Sequence, residues 1–242
     1  MQAFLKDEDC VKTLNTKSAK DDTPLSRAIY LEHNEVVRLL LKTPGIDVNK
    51  PVKEGGSTPL MIAAMRDNIS ATQLLLEQPD ISVDMLDRHG SSLLRFKDYN
   101  GKTPIRFAVE NRDRSILKIL LERPDADVNA PDNVKATPLH EACARGNDTV
   151  LRLLIMRPDI DVNPMNSLGN TPLYEAAQWG KESRVQLLLE RSDIDVNARN
   201  PLGDTPLSVA TKNGHEAIIG LLCTAGGMLA EHLGFTQSQN EM

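Results

Sequence analysis

The sequence predicts an all-α solenoid of antiparallel helix pairs joined by extended, hairpin-like fingers. Three observations carry this fold class. A short phrase, Thr-Pro-Leu or once Thr-Pro-Ile, begins at Thr23, Thr58, Thr103, Thr137, Thr171 and Thr205. Its first interval is 35 residues, its second 45, and its last three are 34 each. A period of that size marks stacked supersecondary units, which grow linearly and need no single globular core. Finally, each phrase opens a short helical stretch, a turn and a second, amphipathic stretch, and turn-forming residues follow.

The unit Thr137 to Asn170 shows the elements in order. Thr137 suits a helix N-cap, because its hydroxyl can accept an orphan amide of the first turn. Pro138 suits the first helical position, where its missing N–H has no partner to lose. The first helix is expected to run from Pro138 to Arg145, with small Ala142 and Cys143 allowing close approach. Gly146 ends it in the left-handed cap conformation. Val150, Leu153 and Leu154 then form the apolar stripe of a second helix. Pro158 stops that helix. Asp161-Val162-Asn163 to Gly169 carries turn residues and no helical period, so it reads as the finger.

Helix, turn, helix and finger, with Thr-Pro-Leu-His at Thr137 to His140, resemble the ankyrin repeat. The resemblance covers almost the whole chain. It includes Asp-Val-Asn at Asp47, Asp127, Asp161 and Asp195, and the Gly-His turn at Gly214. Tetratricopeptide repeats share the 34-residue period but lack both motifs. Where ankyrin units usually place Gly before the finger, this chain has Pro-Asp at Pro79, Pro124 and Pro158, Ser-Asp at Ser192 and Pro-Gly at Pro44. That finger variant is similar to arrays common in filamentous fungi. The expected organisation is a partial repeat or cap over 1–22, six repeats over 23–225, and a closing cap and tail over 226–242.

Departures from the pattern concentrate in the first half. The cap glycine seen at Gly146, Gly180 and Gly214 is replaced by Glu32, Asp67 and Arg112, so the early units are expected to hold strained caps. The long second interval holds 11 extra residues, 45 minus 34. Asp87 to Lys97 aligns with Asp98 to Ala108 and reads as a tandem duplication. It is either a projecting loop that touches a partner or a tolerated surface insertion.

Composition narrows the function. The net charge of -6 and the lack of a basic stripe argue against a general nucleic-acid binder. No Lys/Arg run suggests a membrane anchor, and no stretch of about 18 apolar residues suggests a span. Met1 to Cys10 has acidic residues and no apolar core, unlike a signal peptide. Cys10, Cys143 and Cys223 make an odd count without a disulfide pattern. Cys143 reads as a small core residue. A cytoplasmic location is expected, with the nucleus as the alternative.

Catalytic signatures are missing. No phosphate-binding Gly loop or nucleophile elbow occurs. His140-Glu141 starts like a zinc-protease helix, but Ala144 stands where the second His is required. The resemblance implies structural roles for His140 and His215, and no metal or cofactor is expected. The recurring Asp residues read as turn formers.

The resemblance also implies a partner face, made by the first helices and the fingertips. Its usual contact positions are Tyr30-Leu31, Met65-Arg66, Glu110-Asn111, Ala144-Arg145, Gln178-Trp179 and Lys212-Asn213. Trp179, the one Trp, is the expected anchor. Arg145, Gln178 and Lys212 would give polar specificity, with Tyr30 and Arg66 as further contacts. Val134, Leu168 and Leu202, with Met165 nearby, would add an apolar ridge or else pack finger against finger. The expected function is a non-catalytic, monomeric scaffold or adaptor that binds another protein. The alternatives are an accessory protein or enzyme of a metabolic pathway with a ligand pocket in the groove, and a fragment of a larger multidomain protein.

Overall fold

The computed structural model describes residues 13–18, 22–52, 56–83, 100–110, 114–145 and 147–229. The 87–97 insertion, Arg112, Gly146 and the segments 1–12 and 230–242 lie outside the described residues. The chain divides into two compact units, Met1–Asn133 and Val134–Met242.

The first unit holds helices α1 (Pro24–Tyr30), α2 (Asn34–Leu41), α3 (Pro59–Met65), α4 (Ile69–Leu76), α5 (Pro104–Glu110) and α6 (Ser115–Leu121). The second holds α7 (Pro138–Ala144), α8 (Asp148–Ile155), α9 (Pro172–Gln178), α10 (Glu182–Leu189), α11 (Pro206–Lys212) and α12 (Glu216–Thr224). In each unit the odd-numbered first helices pack on one another, and so do the even-numbered second helices. Each unit is therefore a stack of three helix pairs, as the solenoid reading requires.

The Thr-Pro phrase builds the same start each time. In α1, the Ser26 amide donates to Thr23 Oγ1 at 3.1 Å and the Thr23 amide donates to Ser26 Oγ at 2.9 Å. Ser208 repeats this reciprocal box with Thr205. The first helices bury small residues, including Ala63, Ala108, Ala142, Cys143, Ala176 and Ala210, which lets neighbours approach closely. The second helices bury leucines such as Leu75, Leu120, Leu154 and Leu188. Each such side chain contributes roughly 1.5–3 kcal/mol by leaving water.

The turn between paired helices is left-handed, as expected. Gly180 and Gly214 have φ of 65° and 69°, and Glu32 and Asp67 adopt 58° and 57° at the same position. The hydrogen bonds match too. The amides of Gly180 and Lys181 donate to Ala177 and Ala176, and those of Glu32 and His33 donate to Ile29 and Ala28. Tertiary packing thus imposes the turn even where the residue resists it. The fingers contain no β-strand among the described residues. They are hairpin-like turns closed by paired backbone bonds, such as Asn166 N–H to Asn170 O at 3.1 Å with Gly169 N–H to Asn166 O at 2.8 Å, and Asn200 N–H to Asp204 O at 3.1 Å with Gly203 N–H to Asn200 O at 2.8 Å.

Asparagine joins finger to finger. Asn163 donates from Nδ2 to Asp193 O at 2.7 Å and accepts the Asp195 amide on Oδ1 at 2.8 Å. Asn49 does the same with Asp80 O and the Ser82 amide, and Asn197 with Gly226 O and the Met228 amide. Asn15 makes this pair of bonds with Gly45 and Asp47. The Asp of each Asp-Val-Asn accepts the amide two residues on, as at Asn163 to Asp161 Oδ1, 2.9 Å. These aspartates are turn formers.

A second recurring device is an Arg two residues before an Asp. Arg123, Arg157 and Arg191 grip Asp125, Asp159 and Asp193 through two bonds each, at 2.8–2.9 Å. Arg191 also donates to Ile155 O at 3.0 Å, closing the end of the preceding second helix. The hydrogen bond from Arg holds each of these carboxyls below its ordinary range. The folded value lies below the unfolded one. The stabilisation is therefore full above the unfolded value and is lost as pH falls through the folded one.

Two substitutions test the cap strain. A left-handed non-glycine costs about 1–2 kcal/mol, and glycine's extra backbone entropy takes back about 0.5–1. Glu32→Gly should therefore stabilise the chain by about 0.5–1 kcal/mol in urea unfolding. Gly180→Ala should destabilise it, because the new Cβ would sit 2.8 Å from His215 Cε1 as well as at positive φ.

Candidate functional site

The expected partner residues of the second unit lie on the first helices and the fingertips. Trp179 is the C-cap of α9 and is 56% exposed. Its ring is held by its own helix: Nε1–H donates to Glu175 Oε2 at 3.2 Å. The other Glu175 oxygen accepts from Asn166 Nδ2 at 3.1 Å and from Asn170 Nδ2 at 3.2 Å. One carboxylate thus ties the indole to the finger. The polar edge of the ring is satisfied, and its apolar face is left for solvent or a partner. Gln178 contributes through its backbone, since its carbonyl faces Asn213 Nδ2 and His215 Nε2, both at 3.2 Å.

The fingertips are contiguous. Ser167 N–H donates to Val134 O at 2.8 Å, which joins the first tip to the second. Asn200 Nδ2 donates to Asn170 Oδ1 at 3.2 Å, and a Cβ on Gly169 would overlap Pro201, so the second tip abuts the third. Val134, Met165 and Leu168 are exposed, and Leu202 is 85% exposed. These aliphatic groups point largely into solvent and are not consumed by packing finger on finger.

Charged groups border the apolar ones. Lys212 Nζ reaches Asp204 Oδ1 at 2.6 Å, and the Arg145 guanidinium lies 4.0 Å from Glu141. Tyr174 is buried below, and burial, then the nearby Asp204 charge, push its phenol up from its ordinary value. Tyr30 and Arg66 belong to the other unit, Met1–Asn133. There the Arg66 guanidinium stacks 4.9 Å from the exposed Tyr30 ring, with Arg27 at 5.8 Å and Glu32 3.5 Å from Arg66.

His140 is buried inside a capping box. The Thr137 amide can only donate, so His140 Nδ1, 3.1 Å away, is the acceptor. Nε2 therefore carries the proton and donates to Asn170 O at 3.0 Å. Both ring nitrogens are committed to structure. Burial pushes the Cys143 thiol up, far from nucleophilic range. Among the described residues no group of three His, Cys, Asp or Glu is placed to hold a metal ion, and no helix is long and apolar enough to cross a membrane. A cavity of about 370 Å³ in the first unit is lined by Thr13, Thr16, Lys17, Ser18, Asp22, Thr23, Pro24 and Arg27. Among these residues Asp22 is the carboxylate, with Lys17 and Arg27 as cations, and Arg27 Nη1 lies 3.4 Å from Asp22 Oδ2.

A family model for ankyrin repeats matches residues 1–87, 51–132, 88–166, 108–200 and 139–232, which spans nearly the whole sequence. The chain belongs to the ankyrin repeat family. The crystal structure of the ankyrin repeat domain of Bcl-3, described as a unique member of the IkappaB protein family, is similar to it. The two share 26% identity over 86% of this chain and 87% of that one, with a TM-score of 0.73. An ankyrin repeat domain from Acinetobacter baumannii AYE shares 28% identity over 85% of this chain and 98% of its own, also at 0.73. A search of curated proteins finds no match. In this ankyrin array, two site features escape motif reading. Glu175 looks like an ordinary helix residue until its bonds are seen. Lys135 stands where Gly56, Gly101, Gly169 and Gly203 stand in the other fingers, and it shares their positive φ, at 58°.

Trp179 is the one tryptophan of the chain, so its clamp is measurable when tryptophan is excited selectively. Glu175→Ala should lower the steady-state anisotropy of the tryptophan emission while leaving the far-ultraviolet circular dichroism unchanged. Unchanged anisotropy would mean that the carboxylate does not hold the ring.

Proposed function

We propose that the chain is a non-catalytic interaction module that binds another protein through the first helices and fingertips of the unit Val134–Met242. Ankyrin repeat domains generally mediate protein–protein interaction. The observation that carries the reading here is Trp179, half exposed with its N–H already bonded to Glu175, beside a contiguous row of exposed aliphatic fingertips. Apolar groups gathered in this way gain free energy when a partner covers them, and a rigid aromatic loses little entropy in doing so. The scaffold supports the reading as well, because His140, His215 and the recurring Asp residues are spent on caps and turns.

A photo-crosslinking amino acid placed at Leu168 tests this directly. In cells it should form protein adducts that Trp179→Ala reduces several-fold, since a central aromatic anchor is worth roughly 2 kcal/mol or more. The same probe at Met156, exposed at the end of α8, should give few. Adducts from Met156 but not Leu168, or adducts indifferent to Trp179→Ala, would reject this face as the binding surface.

A further inference from the structure

The charges of this face are sorted by depth. Three carboxylates lie low: the side chains of Glu141 and Asp204 are 11% and 15% exposed, and Glu175 is half buried and taken up by Trp179, Asn166 and Asn170. The cations stand above them. Arg145 and Lys212 side chains are 82% and 62% exposed. Arg145 and Trp179 are the equivalent C-caps of α7 and α9, and Lys212 closes α11. Because α9 packs between α7 and α11, the row along the face reads cation, indole, cation.

Lys135 adds a third cation at the edge of the row. It is exposed on the fingertip beside Val134, whose carbonyl binds the Leu168 finger through Ser167. Its backbone is left-handed at a position where the other described fingers carry glycine. Glycine would relieve that strain, so local stability does not explain a lysine there. A side chain held at a strained tip, exposed and next to an apolar ridge, is suited to meet a charge on something else.

Resting on the reading that this face binds protein, we propose that the partner segment is an extended acidic peptide with an apolar side chain between its carboxylates. The apolar group lies over Trp179 and the tips of Leu168 and Leu202, and the carboxylates meet Lys135, Arg145 and Lys212. The dimensions agree. Neighbouring helices pack about 8–10 Å apart, so cations two helices apart are separated by roughly 16–20 Å. An extended chain covers that distance in about five or six residues. The cations attract an acidic segment from solution, and the low carboxylates are already bonded and meet it last.

The probe is a set of random peptides of about twelve residues displayed on phage and selected on the full chain, with the winners synthesised and measured by fluorescence anisotropy. The selected sequences should carry Asp or Glu on both sides of Trp, Phe or Leu. Replacing Lys135→Gly, Arg145→Ser and Lys212→Ser together should weaken them at least tenfold. Exchanging the peptide's Asp and Glu for Asn and Gln should weaken binding to the native chain but not to the triple variant. Lys135→Gly alone should raise the thermal midpoint while lowering affinity, a combination that a purely structural lysine would not give. Selection of neutral or basic peptides, of none at all, or full affinity in the triple variant would overturn the inference. If the triple variant binds fully while Trp179→Ala does not, this inference fails and the protein-binding face stands. If Trp179→Ala also binds fully, both fail.

Discussion

Among the described residues the fingers hold no strand, and the side chain of one asparagine ties a finger to the next. Asn163 gives its amide proton to Asp193 O and takes the Asp195 proton on its oxygen. A carboxamide donates from Nδ2 and accepts on Oδ1 at the same time, so one short side chain makes both bonds. Asn15, Asn49 and Asn197 make the same pair of bonds. Stacked helices tolerate small slides, because ridges and grooves repeat along them. A pair of bonds of fixed length does not, so the ladder sets the register from which the fingertips project.

The rest of the site inherits that register. Once the fingers are fixed, Asn166 and Asn170 present their amides to Glu175, and Glu175 in turn holds the indole of Trp179. Asp204 reaches Lys212 from the next finger. His140 bridges its own helix cap to Asn170 of the following finger. Framework and candidate binding surface therefore meet in one residue, Asn170. The Asn170 carbonyl accepts from the framework histidine, while the same residue's side chain supports the aromatic clamp.

Much of this was legible in the sequence, for a physical reason. Caps and turns depend on local chemistry, so Thr-Pro, Asp-Val-Asn and the glycine turns announce themselves at fixed spacing. Even the strained Glu32 and Asp67 could be read, because the period showed which position each occupies. What was hidden depends on contacts between units. The bidentate Arg–Asp grips at Arg123, Arg157 and Arg191 look like ordinary surface charges in the sequence, and Glu175 looks like an ordinary helix residue. Lys135 is an intermediate case. Counting two residues back from the last five Thr-Pro phrases marks it as the exception among glycines, but only its φ of 58° shows that the backbone keeps the glycine shape. The pairing of Trp179 with the fingertips followed from the family resemblance, with the period locating the matching positions. Their contiguity required the Val134–Ser167 and Gly169–Pro201 contacts.

The ladder is the claim on which the others stand, and Asn163→Ala tests it most directly. Hydrogen exchange at the Asp195 amide, followed alongside urea unfolding, is the measurement. If the ladder sets finger register, that amide loses its protection and the chain loses about 1–2 kcal/mol, the net contribution of two solvent-exposed hydrogen bonds. Unchanged protection at Asp195 together with unchanged stability would show that helix packing alone places the fingers, and would contradict the ladder as the organising interaction.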